Sequence, residues 1–180
     1  MFNTDTLKTL SSLTTFTAPA SAHVPALKNM HVTYDPIIGT LDVLATDRYI
    51  AIHASWVGLT DEHPQFEGVV SAAHIKSMLA VAKSGGSLPF ARSDTDGQFP
   101  IGVQKLIGDM SAKPDRSDGG ARINANMLAK LGKVVVPAAR NGVPWDIRLV
   151  DSANTGAMIV QYETDNLAMR AALVGMRQAK

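Results

Sequence analysis

The chain has 180 residues, of which 46% are hydrophobic, so its size and composition fit one compact domain or slightly more and exclude a large multidomain enzyme. Its 17 Lys and Arg residues against 16 Asp and Glu residues give a formal net charge of +1, so the overall charge indicates no nucleic-acid or acidic partner. The absence of cysteine excludes disulfides, thiolate nucleophiles, iron–sulfur clusters and Cys-rich zinc sites.

The beginning of the chain, MFNTDTLK, is polar and lacks the basic and apolar regions of a signal peptide. No apolar run approaches the ~20 residues that are needed to span a bilayer. We therefore expect a soluble protein of the cytoplasm.

A shared pattern predicts three short amphipathic helices, at residues 2–13, 69–81 and 123–134. Each segment opens with Ser, Thr, Asn or Asp residues that can cap a helix, and apolar residues then recur three or four positions apart. The Gly85-Gly86 pair after the second segment is typical of a helix end. Because each match is short, chance is the alternative to a true repeat.

Strands are predicted between and after these helices, from alternating apolar and polar residues with β-branched and aromatic content. The segments with the clearest alternation are residues 24–34, 41–47, 48–55, 145–150, 157–162 and 171–176. Residues 87–92 and 99–106 are weaker candidates, because Pro89 and Pro100 favour edge strands or irregular structure. The sequence thus predicts an α+β fold in which a strand, a helix and several antiparallel strands recur three times.

The repeat divides the chain into two parts. Residues 1–110 contain two of the predicted modules, and residues 122–180 contain the third. Residues 111–121 join them, since the sequence KPDRSDGG within this segment is polar and rich in turn-forming residues.

Basic residues are concentrated in the three predicted helices. Residues 6–16, 71–84 and 124–134 contain five lysines and no acidic residue, which leaves twelve basic against sixteen acidic residues elsewhere. Asp5 precedes the first of these segments at a cap position. Solvated helix faces normally mix both signs, so this segregation indicates a polyanion beside the helices. The alternative is that the lysines only solvate the outer faces of helices packed on a core. The five residues are Lys8, Lys76, Lys83, Lys130 and Lys133.

Five segments carry motifs that follow one another in a recognisable order. Residues 41–51, LDVLATDRYIA, combine an apolar strand with an Ala-Thr-Asp turn. The other four are residues 66–72 (FEGVVSA), 105–110 (KLIGDM), 124–131 (NANMLAKL) and 172–177 (ALVGMR). In this order they resemble segments of the bacterial beta sliding clamps, and the resemblance extends over most of the chain.

The resemblance implies the DNA clamp fold, in which the helices of repeated modules line a hole around duplex DNA and the sheets form the outside. About twelve modules close such a ring, so three modules per chain imply a homo-oligomer, most simply a tetramer. The implied function is that of a processivity factor without catalysis or cofactor, with DNA polymerase and a clamp loader as partners. The five lysines then contact phosphates without reading bases. A shortened clamp of this kind suits a phage.

The resemblance also implies a groove that holds a short peptide of the polymerase. Its candidate residues are Thr46, Asp47, Arg48, Tyr49, Leu173, Val174, Met176 and Arg177. Two departures affect this groove, because Arg48-Tyr49-Ile50 replaces a Gly-His-Arg-Leu type of run and Gly175 stands where proline is common. The same residues are equally interpretable as ordinary core and terminal positions of a sheet.

Two other functions remain open at this point. One is a clamp-fold protein that stays monomeric and binds a host clamp or polymerase as a decoy or inhibitor. The other is a small enzyme with its site in residues 87–102, although no catalytic set is assembled there. The five histidines lack the spacing of a metal site, and no glycine-rich phosphate-binding motif indicates ATP.

Overall fold

The computed structural model describes residues 2–18, 23–60, 63–93, 99–100, 102–113, 115, 123–150 and 157–174. Its helices are α1 (Thr4–Leu13), α2 (Ala72–Lys83), α3 (Val103–Ser111) and α4 (Ala125–Leu131). Its strands are β1 (Asn29–Asp35), β2 (Thr40–Thr46), β3 (Ile50–Trp56), β4 (Phe66–Ser71), β5 (Asp146–Val150), β6 (Ala157–Glu163) and β7 (Leu167–Val174). Short 3₁₀ turns at Thr14–Phe16 and Pro25–Lys28 lie between α1 and β1. No helix in this described part is long and apolar enough to cross a membrane.

The strands form one antiparallel sheet of seven, in the order β4-β1-β2-β3-β7-β6-β5. Strand β3 pairs with β7 along its whole length, from Ile50 opposite Leu173 to Trp56 opposite Leu167. The last three strands therefore complete the sheet that the first four begin. The module boundaries at residues 110 and 122 stay a prediction.

One face of the sheet carries the main hydrophobic core. Because side chains alternate along a strand, every second residue of the central strands points to this face, as Ile50, Ile52 and Ala54 of β3 do. Helices α1, α2 and α4 cover it with buried side chains, namely Leu7, Leu10, Leu13, Ile75, Met78, Met127 and Leu131. We call this side of the molecule the helix face.

The opposite side of the sheet, which we call the α3 face, has a smaller core. Val103, Ile107 and Met110 of α3 pack there against Ala51 of β3 and Ala172 of β7. The guanidinium of Arg148 on β5 donates to the carbonyls of Ser111 and Lys113 at 3.3 and 3.2 Å and to the Asp115 carboxylate at 2.7 Å. A cation thus holds the carboxyl end of α3, where the helix dipole favours positive charge.

The α+β fold and the three repeated helices predicted from the sequence are confirmed. Each helix begins behind a cap of the predicted type, since Asn3 Oδ1 accepts from Thr6 N, Ser71 Oγ from His74 N and Asn124 Oδ1 from Asn126 N. The cap of α1 is Asn3, two residues before Asp5, which the sequence suggested. Asp5 is therefore inside α1, where it forms an ion pair with Lys8 at 2.9 Å.

The prediction of a strand at residues 99–106 is wrong, because α3 begins at Val103. The spacing of Val103, Ile107 and Met110 is that of a helix face, and burial of this face on the sheet decides the conformation. The described residues of 87–93 form no strand either. Instead Ser93 N donates to Val69 O at 2.8 Å and Arg92 to Glu67 O at 3.0 Å, so this segment covers the free edge of β4.

Candidate functional site

The exposed charges of the helix face are mainly lysines. Neither α2 nor α4 contains an acidic residue. The side chains of Lys76, Lys83 and Lys133 are exposed, and none of the three forms an ion pair with another described residue. Lys8 belongs to the same face but is paired with Asp5. Three of the five predicted DNA-contacting lysines therefore present unneutralised charge to solvent within the described part of the chain.

Lys130 has a different environment from the other lysines. Its Nζ forms an ion pair with Asp47 Oδ2, and the two side chains are only 23% and 14% exposed. The pair connects α4 with the turn between β2 and β3, across 83 positions of sequence. Lys130, which is predicted to contact DNA, thus forms an ion pair with Asp47, which is predicted to contact a partner peptide.

The turn between β2 and β3 is held by the side chains of Thr46 and Asp47. Asp47 Oδ1 accepts from the backbone N–H groups of Tyr49 and Ile50 at 3.0 and 3.1 Å. Thr46 Oγ1 donates to Ile50 O at 3.0 Å and accepts from Arg48 N at 3.2 Å. Such side-chain bonds replace backbone pairing in a tight turn. They leave the ring of Tyr49 standing out from a rigid base, 65% exposed.

Arg48 occupies the left-handed region with a φ of 85°. Among the described residues, it is the only one other than glycine with a positive φ. A β-carbon in this region clashes with the backbone, so glycine is favoured there. An arginine at this position therefore carries a steric cost that glycine would not.

The structure brings the two groups of predicted partner-binding residues to one end of the sheet. Ile50, which follows the turn, lies directly opposite Leu173 on β7. The Leu173 side chain is fully buried in the core under the helix face, so it supports this end of the sheet from within. Val174 closes β7, while Met176 and Arg177 lie outside the described residues. The role of these residues in partner binding stays a prediction.

Helix α3 is an element beside this end of the sheet that sequence reasoning missed. It packs against Ala51 and Ala172, the neighbours of Ile50 and Leu173 along their strands. Its Leu106 is an exposed apolar side chain, with 44% of its surface accessible. The helical spacing of its buried residues was the signal, and Pro100 together with Gly102 obscured it.

A polar cavity of about 290 Å³ opens on the α3 face away from the turn. It is lined by His31, Thr33, Asp42, Leu44, His53, Glu67 and Gln104. His53 Nε2 lies 3.0 Å from Asp42 Oδ1, and this hydrogen bond, with a further one from Ser55, lowers the pKa of Asp42 against the effect of its partial burial. Within the described residues, no group of three His, Asp or Glu side chains has the geometry to hold a metal ion.

No protein-family profile matches the sequence, and no curated protein matches it. Solved structures do match. A DNA polymerase sliding clamp from Pseudomonas aeruginosa aligns with 98% of this chain and 66% of its own, at 14% identity and a TM-score of 0.61. The Helicobacter pylori beta clamp in complex with 3,4-difluorobenzamide aligns with 98% of this chain and 65% of its own, at 9% identity and a TM-score of 0.59.

A second Helicobacter pylori structure shows that beta clamp bound to a DNA ligase peptide, and it aligns with 97% of this chain and 63% of its own, at 10% identity and a TM-score of 0.56. The chain therefore has the fold of the bacterial beta sliding clamps, as the sequence resemblance implied. It spans just under two thirds of the clamp chains that it matches.

Proposed function

We propose that the protein is a DNA sliding clamp, a non-catalytic processivity factor that encircles duplex DNA in the cytoplasm as a homo-oligomeric ring. The observation that carries the proposal is the helix face. On a sliding-clamp fold, this face presents Lys76 and Lys83 of α2 and Lys133, just after α4, to solvent, and neither helix contains a carboxylate. A surface that must move along DNA needs positive charge that attracts phosphates without reading bases.

The partner side of the proposal rests on the end of the sheet beside α3. Tyr49 and Leu106 offer exposed apolar side chains on two rigid elements, the β2–β3 turn and α3. Aromatic and aliphatic anchors on rigid elements are the usual basis for capturing a short peptide segment. We place the peptides of a DNA polymerase and of a clamp loader here, in line with the DNA ligase peptide on one of the similar clamps.

Encirclement is tested by topology, because a ring is held on DNA by linkage and not chiefly by affinity. At ~200 mM salt, contacts from a few lysines per subunit are too weak to hold a protein on duplex DNA with free ends. Protein loaded with its clamp loader onto a nicked circle should stay bound through gel filtration and should leave when the circle is cut once. Release at the same rate from cut and uncut circles would overturn encirclement.

A second candidate function is a monomeric decoy that binds a host clamp or polymerase. It is favoured by the sheet itself, because β7 of the same chain occupies the edge of β3 and residues 87–93 cover the edge of β4. Fewer strand edges are then free for pairing between copies. Light scattering separates the two functions, since a tetramer of the 19.1 kDa chain has a mass of about 76 kDa.

A further inference from the structure

The end of the sheet opposite the β2–β3 turn is built from three chain segments. They are residues 35–40, joining β1 to β2, residues 56–59 at the end of β3, and residues 163–167, joining β6 to β7. Leu59 N donates to Gly39 O at 2.9 Å. Val57 N donates to Asn166 O at 3.1 Å, so the middle segment is hydrogen-bonded to both of the others. We call these three segments the distal end.

The distal end exposes aliphatic side chains to solvent. Ile37 and Ile38 are 88% and 66% exposed, and Val57 is 46% exposed. The hydrogen bond between the first two segments places all three side chains on one surface. Turns between paired strands are usually polar or rich in glycine, and aliphatic side chains grouped on a surface are typical of an interaction site.

The two isoleucines stand on a turn that is held in one conformation. Asp35 Oδ1 accepts from Ile37 N at 2.8 Å and from Ile38 N at 3.4 Å. Gly39 has a φ of 66°, and a β-carbon there would lie 2.6 Å from Leu59 O, so the close packing of the middle segment on the turn requires glycine. A turn that is already ordered loses little entropy when a partner covers its side chains.

The charged side chains of the distal end are all acidic. The three segments contain Asp35, Glu163 and Asp165 and no Lys, Arg or His. None of the three carboxylates forms an ion pair with another described residue. Negative charge repels the phosphates of nucleic acids and of anionic lipids and attracts cationic side chains. The distal end therefore complements a partner whose surface is basic.

A cavity of about 280 Å³ adjoins the third segment. Thr164 and Asn166 of that segment line it together with Asp5 of α1, and no basic side chain is among its described lining residues. The Asp5 carboxylate is exposed, although it also contacts Lys8 at 2.9 Å. The cavity has room for one long side chain, and its oxygens and negative charge favour a cationic one.

We propose that the distal end binds a short segment of a partner protein in which Lys or Arg residues stand beside aliphatic or aromatic ones. The apolar side chains of this segment cover Ile37, Ile38 and Val57, and its cations face the carboxylates and the cavity. Strands β1, β2, β3, β7 and β6 together span about 19 Å, which an extended segment of about six residues covers. The surface lies at the other end of the sheet from Tyr49, so its occupation leaves the proposed peptide groove free.

The first test uses a phage-displayed library of random peptides as the probe. Peptides are selected that bind the unchanged protein and do not bind a variant with Ile37→Ser and Ile38→Ser. This variant keeps every charge, so peptides held by charge alone are removed. The selected peptides should be rich in Lys and Arg beside aliphatic or aromatic residues. Selected peptides without basic residues, or no peptide that distinguishes the two proteins, would overturn the proposal.

The second test is a titration of one selected peptide by fluorescence anisotropy. Glu163→Gln combined with Asp165→Asn should weaken binding about tenfold and reduce its salt dependence, because two carboxylates that face the cations are lost. Leu106→Ser removes an exposed apolar side chain from the α3 face and is the matched control for the isoleucine variant. It should leave the affinity within twofold, and a loss equal to that of the isoleucine variant would overturn the proposal.

Two measurements decide whether another occupant covers the distal end. In light scattering, the unchanged protein and the isoleucine variant should have the same mass; a smaller mass of the variant would show that this surface joins copies of the chain. Neither protein should sediment with phosphatidylcholine vesicles; sedimentation of the unchanged protein alone would assign the isoleucines to a lipid surface. Either contrary result would overturn the proposal, and neither depends on DNA or on encirclement.

Discussion

The two faces of the same sheet differ in both covering and charge. The helix face has three helices and a large core, and its exposed charges are mainly lysines. The α3 face has one helix and a small core, and it mixes signs, with Lys105 paired to Asp109 and Arg148 to Asp115. Since alternate residues of each strand point to the two faces, one set of strands supports two surfaces that differ in charge.

A protein surface can therefore be electrostatically polar without a large net charge. With a formal charge of +1, the chain still presents Lys76, Lys83 and Lys133 on the helix face without an ion-pair partner among the described residues, and it pairs Lys105 and Arg148 with carboxylates on the α3 face. A few short-range pairs suffice for this, because charges separated by more than about 10 Å are screened at 0.1 M salt. The two faces would not differ in function if charge reversal on each had the same effect on DNA binding.

The largest expected effect is on DNA binding by the helix face. Replacing Lys76, Lys83 and Lys133 together by Glu should weaken binding to a linear duplex at low salt by about 100-fold and flatten its salt dependence, since three phosphate contacts become repulsive. Lys105→Glu on the α3 face is the control and should change affinity little. Fluorescence anisotropy at several salt concentrations measures both, and equal losses would show that the helix face has no special role.

The next effect concerns the ion pair that connects the helix face to the β2–β3 turn. Lys130→Met leaves the Asp47 carboxylate, 14% exposed, without its cation. The free energy of unfolding should fall by about 1–3 kcal/mol, the usual cost of losing the partner of a desolvated charge. The exposed Lys133→Met should change it by less than about 0.5 kcal/mol.

Urea unfolding of these variants and of Lys130→Met combined with Asp47→Asn completes the test. The combined variant should regain part of the lost stability, because the unpaired charge is gone. If Lys130→Met is as stable as the unchanged protein and Lys133→Met is not, the pairing of Lys130 does not stabilise the fold.

Local features of the fold were predictable from the sequence, whereas the pairing of segments that are distant in sequence was not. Cap residues such as Ser71 and Asn124 and the apolar spacing after them predict helices because both signals lie within one turn, although the cap of α1 is Asn3 and not Asp5. The pairing of β3 with β7 joins Ile50 to Leu173 and has no local signal. Its register depends on which faces are buried, and this is known only once the sheet exists.

The candidate site shows the same division. The five lysines were found because they lie on predicted helices. Lys28, which lines a cavity together with Lys76 and Lys130, lies on a 3₁₀ turn that no periodicity predicts. The bond between Lys130 and Asp47 was hidden for the same reason, as it joins an element of each separately predicted part. At 9–14% identity to sliding clamps of the same fold, the fold is kept although few residues are shared.

A smaller effect on stability is expected at the turn between β2 and β3. Arg48→Gly should be more stable than Arg48→Ala by about 1 kcal/mol, because glycine adopts a φ of 85° without the steric cost that any β-carbon incurs. Both variants remove the guanidinium, so their difference isolates the backbone. Thermal unfolding measures it, and an Ala variant as stable as the Gly variant would show that the turn relaxes to another conformation.

The smallest effect is the pH dependence contributed by Asp42 on the α3 face. The hydrogen bond from His53 lowers the pKa of Asp42 in the folded state, so the folded protein holds its proton more weakly than the unfolded chain does. The stabilisation is therefore fully present above about pH 4, the ordinary range of an aspartate, and it is lost as the pH falls through the lowered folded pKa. Because the Asp42 side chain is 41% exposed, solvent screening limits the contribution to about 0.5 kcal/mol or less. Asp42→Asn lacks the carboxylate and therefore has no such pH-dependent stabilisation. In urea unfolding, the difference in free energy of unfolding between this variant and the unchanged protein should narrow from pH 5 to pH 2. A difference that stays constant across this range would show that the Asp42–His53 hydrogen bond contributes no pH-dependent stability.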